Sequence, residues 1–122
     1  MTLQDCYSTL GGDYADVMHR FTDEARVARF LAMFLKDKSY ALLGRSLRKK
    51  DYQAAFHAAH TMKGICINLS LTSLWNACDT LADNLRDGHP DQDTAGFLDA
   101  VKKQYLQTTS VIRRYLNTNS LA

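Results

Sequence analysis

The sequence predicts an all-α protein, an up-and-down four-helix bundle with additional short N-terminal helices. Three observations carry that prediction. Leu (16) and Ala (14) far outnumber Val (4) and Ile (3), a balance that favours helix over sheet. The single Pro stands at position 90, so almost the whole chain is free of the residue that breaks helices. Apolar residues recur with the helical period between well-spaced turn signals.

The elements follow in order. Leu3, Cys6, Tyr7 and Leu10 form one apolar stripe after a Thr2 cap, and Gly11-Gly12 stops it. Asp13 caps a short second piece with Val17, Met18 and Phe21 on one face. From Asp23 the pattern Val27, Phe30, Leu31, Phe34, Leu35 is helical, and Lys36-Asp37-Lys38-Ser39 breaks it before Tyr40, Leu43 and Leu47 continue. Asp51 caps the next helix, which runs from about Tyr52 to Leu69. Ser70 or Thr72 is expected to cap another, with Leu74, Ala77, Cys78, Leu81 and Leu85 on one stripe, closed by Gly88-His89-Pro90. The last helix, from about Thr94 to Leu116, carries Phe97, Leu98, Val101, Tyr105, Thr108, Ile112 and Tyr115. The tail from Asn117 to Ala122 has no period and is expected to fray. Short connections between long amphipathic helices make antiparallel neighbours, hence the bundle.

Composition excludes several function classes. A length of 122 residues suits one domain, residues 1–122, and 46% apolar against 23% charged residues is an ordinary globular balance. A formal charge of +2, from 15 basic and 13 acidic residues, is too mild for a nucleic-acid binder. Arg45, Arg48, Lys49 and Lys50 read as a solvated helix end whose cations suit the dipole there. Cys6, Cys66 and Cys78 lack Cys-x-x-Cys spacing and fall at apolar-periodic positions, so they read as buried free thiols of a cytoplasmic protein. No secretory signal is visible and no apolar run approaches the roughly 20 residues of a membrane span. The expectation is a cytoplasmic monomer that binds neither nucleic acid nor membrane.

The helix from Tyr52 to Leu69 carries the functional signal. Turning about 100° per residue from His60 places Ala58, Met62, Ile65 and Leu69 on the far, core-facing side. Within about 60° of His60 lie Gln53, Phe56, His57, Lys63, Gly64 and Ile67. That side mixes apolar residues with a glycine, a lysine and two histidines. A mid-helix glycine costs roughly 1 kcal/mol relative to Ala. Beside His60 its use would be to remove a Cβ so that another macromolecule can approach the imidazole. Lys63 would place an ammonium near an anion attached to that ring. Phe56 and Ile67, with Gln53 and His57, would form a docking patch around it.

The stretch Ala59-His60-Thr61-Met62-Lys63-Gly64 resembles the A-H-x-[LM]-K-G signature of histidine-containing phosphotransfer (HPt) domains of two-component phosphorelays. Asp51-Tyr52 is similar to that family's Asp-aromatic helix start, Asn68-Leu69 to its Asn-Leu after the signature, and Leu81 to Gly88 to its L-x-x-x-L-R-x-G helix end. Ser70 stands where the family commonly has glycine, and Ile65 and Cys66 replace residues that are often smaller or hydroxylated. The resemblance implies His60 as the phosphoacceptor, Lys63 as phosphate stabiliser and Gly64 as the residue giving access. The implied partners are receiver domains of response regulators and of hybrid sensor histidine kinases.

A neutral imidazole nitrogen is a competent nucleophile near pH 7. Phosphoryl transfer also needs charge neutralisation, and the sequence offers no carboxylate cluster for Mg²⁺, so the metal is expected on the receiver and the chain is expected to hold no cofactor of its own. It reads as a phosphotransfer protein rather than an autonomous enzyme. No Gly-rich phosphate loop marks a kinase. A metal site from His57, His60 and a cysteine is disfavoured because Cys66 lies about 120° around the helix from His60. The rival reading is a non-catalytic helical module that binds a receiver-like partner without phosphotransfer.

Overall fold

The computed structural model describes residues 1–118, and all seven elements in that span are α-helices. They are α1 (Leu3–Leu10), α2 (Tyr14–Phe21), α3 (Glu24–Lys36), α4 (Ser39–Arg48), α5 (Tyr52–Asn68), α6 (Thr72–Leu85) and α7 (Thr94–Thr118). No strand occurs among the described residues. Local chemistry sets most boundaries. Thr2 and Asp5 form a reciprocal capping box at α1, and the carboxylates of Asp13, Asp23 and Asp51 accept from backbone N–H groups at the starts of α2, α3 and α5. Gly11 ends α1 in the left-handed conformation, φ 76°, where a Cβ would also lie 2.2 Å from Ser73 Oγ.

Helix α5 packs against both α4 and α6, α6 packs against α7, and α1 and α3 lie against α7. Tyr40 of α4 stacks on Tyr105 of α7 with ring centroids 3.9 Å apart and planes within 4°, closing the four-helix ring α4–α7. Helix α2 joins α1 to α3. One core runs through both layers, from Leu3, Tyr7 and Leu10 to Leu31, Leu43, Met62, Leu74, Leu81 and Ile112. The buried Tyr7 hydroxyl donates to the Leu69 carbonyl at 2.7 Å, fixing the C-terminal end of α5 against the N-terminal layer.

Three expectations need correction. Neither Ser70 nor Thr72 caps α6: Leu71 occupies the N-cap position without a side-chain hydrogen bond. Ser70 instead sits buried after α5 with φ 56°, the left-handed region that favours glycine. Its Oγ donates to Asp16 Oδ2 at 2.6 Å, while Arg20 Nη1 donates to Ser70 Oγ at 3.1 Å and to the Asn68 carbonyl at 2.8 Å. Second, the core side of α5 is Ala55, Ala58, Ala59, Met62 and Cys66, with Ile65 only half-buried at its edge, because α4 and α6 flank the helix from both sides. Third, Asn117 and Thr118 continue α7. The remainder of the expected frayed tail, 119–122, lies outside the described residues.

All three cysteines are buried and free. Burial pushes the Cys6 thiol up to about 11. A hydrogen bond with Cys78, reinforced by burial, raises the Cys66 thiol far above its ordinary value. Neither supplies a thiolate near neutral pH.

Candidate functional site

The two faces of α5 separate as the helical period requires. Ala55, Ala58, Ala59 and Met62 anchor one face in the core, while Gln53, His57, His60, Gly64 and Ile67 are exposed on the other. His60 sits in the middle of the helix, so the rigid bundle fixes its backbone. Its ring lies against that of Phe56, one turn earlier, with centroids 5.9 Å apart and planes 24° from parallel. Phe56 is half-buried and also meets His57 edge-on at 5.5 Å. His60 is exposed, and no described residue hydrogen-bonds to its ring.

Gly64 is exposed, and a Cβ built there would meet no atom within 4 Å. The glycine therefore answers no packing need inside the protein. Gly12 is the opposite case: a Cβ there would come within 2.8 Å of the Ser70 carbonyl and 2.7 Å of the Tyr7 ring. Close approach inside the fold explains Gly12; at Gly64 the space stays open on the side of His60.

Lys63 is half-buried, and its Nζ lies 2.8 Å from Asp79 Oδ1 on α6. The same ammonium lies 5.8 Å from the centre of the Trp75 ring, within cation–π range. His60, Lys63, Gly64, Ile67 and Trp75 together line one shallow depression. The lysine is thus beside the histidine, as the spacing predicts, but held by a carboxylate that sequence reasoning missed. Neither Asp79 nor Trp75 carries a local signal, because each meets α5 only through the α5/α6 packing.

Two further concavities flank the histidine. An apolar groove beside Gly64 runs between α5 and α3, lined by Phe30, Met33, Phe34, Ile65 and Leu69. Met33 and Ile67 are large apolar side chains left exposed on its rim and beside it, 62% and 58% accessible. On the other side, Gln53, Phe56 and His57 line a more polar cleft with Arg86, Asp87 and Gly88. Of the residues named from the sequence, Phe56 lies against the His60 ring and Ile67 shares its depression, while Gln53 and His57 line the neighbouring cleft. Phe30 and Met33 of α3, which the α5 periodicity could not indicate, line the groove on the other side. Among the described residues no group of three or more His, Cys, Asp or Glu side chains could share a metal ion. Cys66, buried toward the core, faces away from the exposed histidines.

The structure is thus a helical bundle that presents an exposed histidine, with a lysine and a glycine three and four positions after it on the same helix. The chain matches the family profile described as Hpt domain over residues 29–110, from α3 to the second half of α7. It belongs to the Hpt domain family, the histidine phosphotransfer domains of phosphorelays, which interact with receiver domains. No significant match was found among curated proteins or among solved structures. Among the described residues no helix is long and apolar enough to cross a membrane.

Proposed function

We propose that this chain is a phosphorelay intermediate in which His60 accepts a phosphoryl group from a receiver-domain aspartate and returns it to another receiver aspartate. The observation that carries the reading is the open space at Gly64 beside a histidine that no described residue hydrogen-bonds. A helix that gives up roughly 1 kcal/mol at this position, without any internal contact in return, keeps that space for a visiting backbone.

The chemistry is a displacement at phosphorus. The lone pair of the unprotonated His60 nitrogen forms the N–P bond. The O–P bond of the aspartyl acylphosphate breaks, and its electron pair returns to the receiver carboxylate. The other ring nitrogen keeps its proton, so the product is a phospho-imidazolium. In the onward step its N–P bond breaks, and neutral imidazole leaves with the electron pair as the phosphoryl group passes to the next receiver carboxylate. Mg²⁺ held by the receiver carboxylates supplies charge neutralisation for the transferring group. On this chain, Lys63 supplies positive charge beside the phosphorylated ring. Phe56 orients the imidazole by stacking, and Gln53, His57 and Ile67 contact the docked receiver.

Incubation with a receiver charged with acetyl phosphate and Mg²⁺ is expected to place an acid-labile, base-stable phosphate on the chain. His60→Gln is expected to abolish the label with the helical circular dichroism retained. A label that persists in His60→Gln would reassign the acceptor. A wild-type chain that binds receivers but never labels would make it a non-catalytic interaction module.

A further inference from the structure

Lys63 already has an anionic partner before any phosphoryl group arrives. Its Nζ is 2.8 Å from Asp79 Oδ1, and the two side chains are only 18% and 33% accessible, so the pair is screened less than one in open solvent. Trp75 of α6 lies beside the same ammonium. Both contacts draw Lys63 toward α6, whereas the His60 ring leans on Phe56, a turn toward the start of α5. Asp79 has no hydrogen bond to any other described residue. An ion pair of this accessibility adds little to fold stability.

Resting on the reading that His60 carries the phosphoryl group, we propose that Asp79 is a positioning residue that limits how tightly Lys63 holds that group. In the unphosphorylated chain the ammonium and the carboxylate cancel. Once a phosphoryl group stands on His60, one ammonium faces two anions. Lys has three N–H donors, so Lys63 either bridges the two or releases Asp79; in both cases part of its attraction is directed away from the phosphoryl oxygens. A relay must give up the group as readily as it takes it. Asp79 keeps the phosphohistidine from becoming a sink, so that transfer runs in either direction.

Phosphoramidate tests this without a receiver, since attack by the imidazole breaks its P–N bond, releases ammonia and forms phosphohistidine. The full chain is labelled, freed of donor, and followed by ³¹P NMR at constant pH. His19, His57 and His89 are also exposed, so the signal missing from His60→Gln identifies phospho-His60. Asp79→Asn is expected to lengthen its lifetime about two- to fivefold, the range of a partly exposed ion pair. Asp79→Glu, which keeps a carboxylate for the ammonium, is expected to stay near wild type, and Lys63→Ala is expected to shorten the lifetime. Adding Asp79→Asn to Lys63→Ala is expected to change nothing further, an outcome that a merely structural role for Asp79 would not produce. Asp79→Ser repeats the comparison should the amide perturb the fold. An unchanged lifetime in Asp79→Asn and Asp79→Ser, or a gain that survives without Lys63, would overturn the proposal while leaving His60 as acceptor. Absence of any His60-dependent signal in the wild type would overturn both.

Discussion

At position 64 stability and partner access pull in opposite directions. A Cβ there meets nothing within the chain, so Gly64→Ala is expected to raise stability by about 0.5–1 kcal/mol, the ordinary gain for an exposed helix interior. The same methyl group projects into the space beside His60, so phosphotransfer from a receiver is expected to slow. Gly64→Gln is expected to remove receiver binding altogether, whereas Lys63→Ala leaves docking largely intact. Thermal melts read the first effect; receiver titrations and transfer kinetics read the others. A lower melting temperature for Gly64→Ala would contradict the open space, and equal receiver affinity for Gly64→Gln would remove the steric argument. His60, Lys63 and Gly64 were legible in the sequence because one helix carries all three, and the period of that helix fixes their relative directions. Asp79 was not legible, since its meeting with Lys63 depends on how α6 packs against α5, which no spacing along either helix encodes.

At the scale of elements, the same distinction separates the helix starts. Those of α1, α2, α3 and α5 were visible because a side chain within a few residues accepts the first free N–H groups. The start of α6 was misread because its cap residue, Leu71, is a buried core side chain. Long-range bonds place this turn instead: Leu71 N–H donates to the Cys66 carbonyl at 2.9 Å, and the Ser73 N–H and Oγ each donate to the Gly11 carbonyl at 3.0 Å. Ser70 shows the trade within that turn. Its φ of 56° costs a non-glycine residue roughly 1 kcal/mol, which accounts for glycine being common there in the family. Here the hydroxyl offsets the cost by joining α2 to the end of α5 through Asp16 and Arg20. Ser70→Ala keeps the strain and loses the hydroxyl, so it is expected to destabilise by about 1 kcal/mol or more. Ser70→Gly, which loses the hydroxyl but relieves the strain, is expected to stay close to wild type. Chemical denaturation distinguishes them, and equal stability of the two variants would show that the left-handed backbone carries no cost.

For the whole molecule, the question is whether the helices that precede the family match are an appendage or part of the fold. The match begins at residue 29, yet Leu3, Cys6, Tyr7 and Leu10 of α1 are all buried in the common core. Their burial serves the site indirectly. Tyr7 bonds the Leu69 carbonyl and Arg20 bonds the Asn68 carbonyl, so the N-terminal layer holds the last turn of the helix that presents His60 and lines the groove beside Gly64. Each buried leucine contributes roughly 1.5–3 kcal/mol of transfer free energy, and a domain's net stability is only about 5–15 kcal/mol. Removing residues 1–21 is therefore expected to abolish cooperative thermal unfolding and to expose apolar surface that binds a hydrophobic dye. Tyr7→Phe, which keeps the ring and removes only its hydroxyl, is expected to cost about 1 kcal/mol by leaving the Leu69 carbonyl without that donor. The truncated chain should label poorly from a receiver, although every residue around His60 on α5 and α6 is still present. If it instead melts cooperatively at the wild-type temperature and labels normally, the bundle α4–α7 with α3 is self-sufficient, and the core shared with α1 plays no part in presenting the histidine.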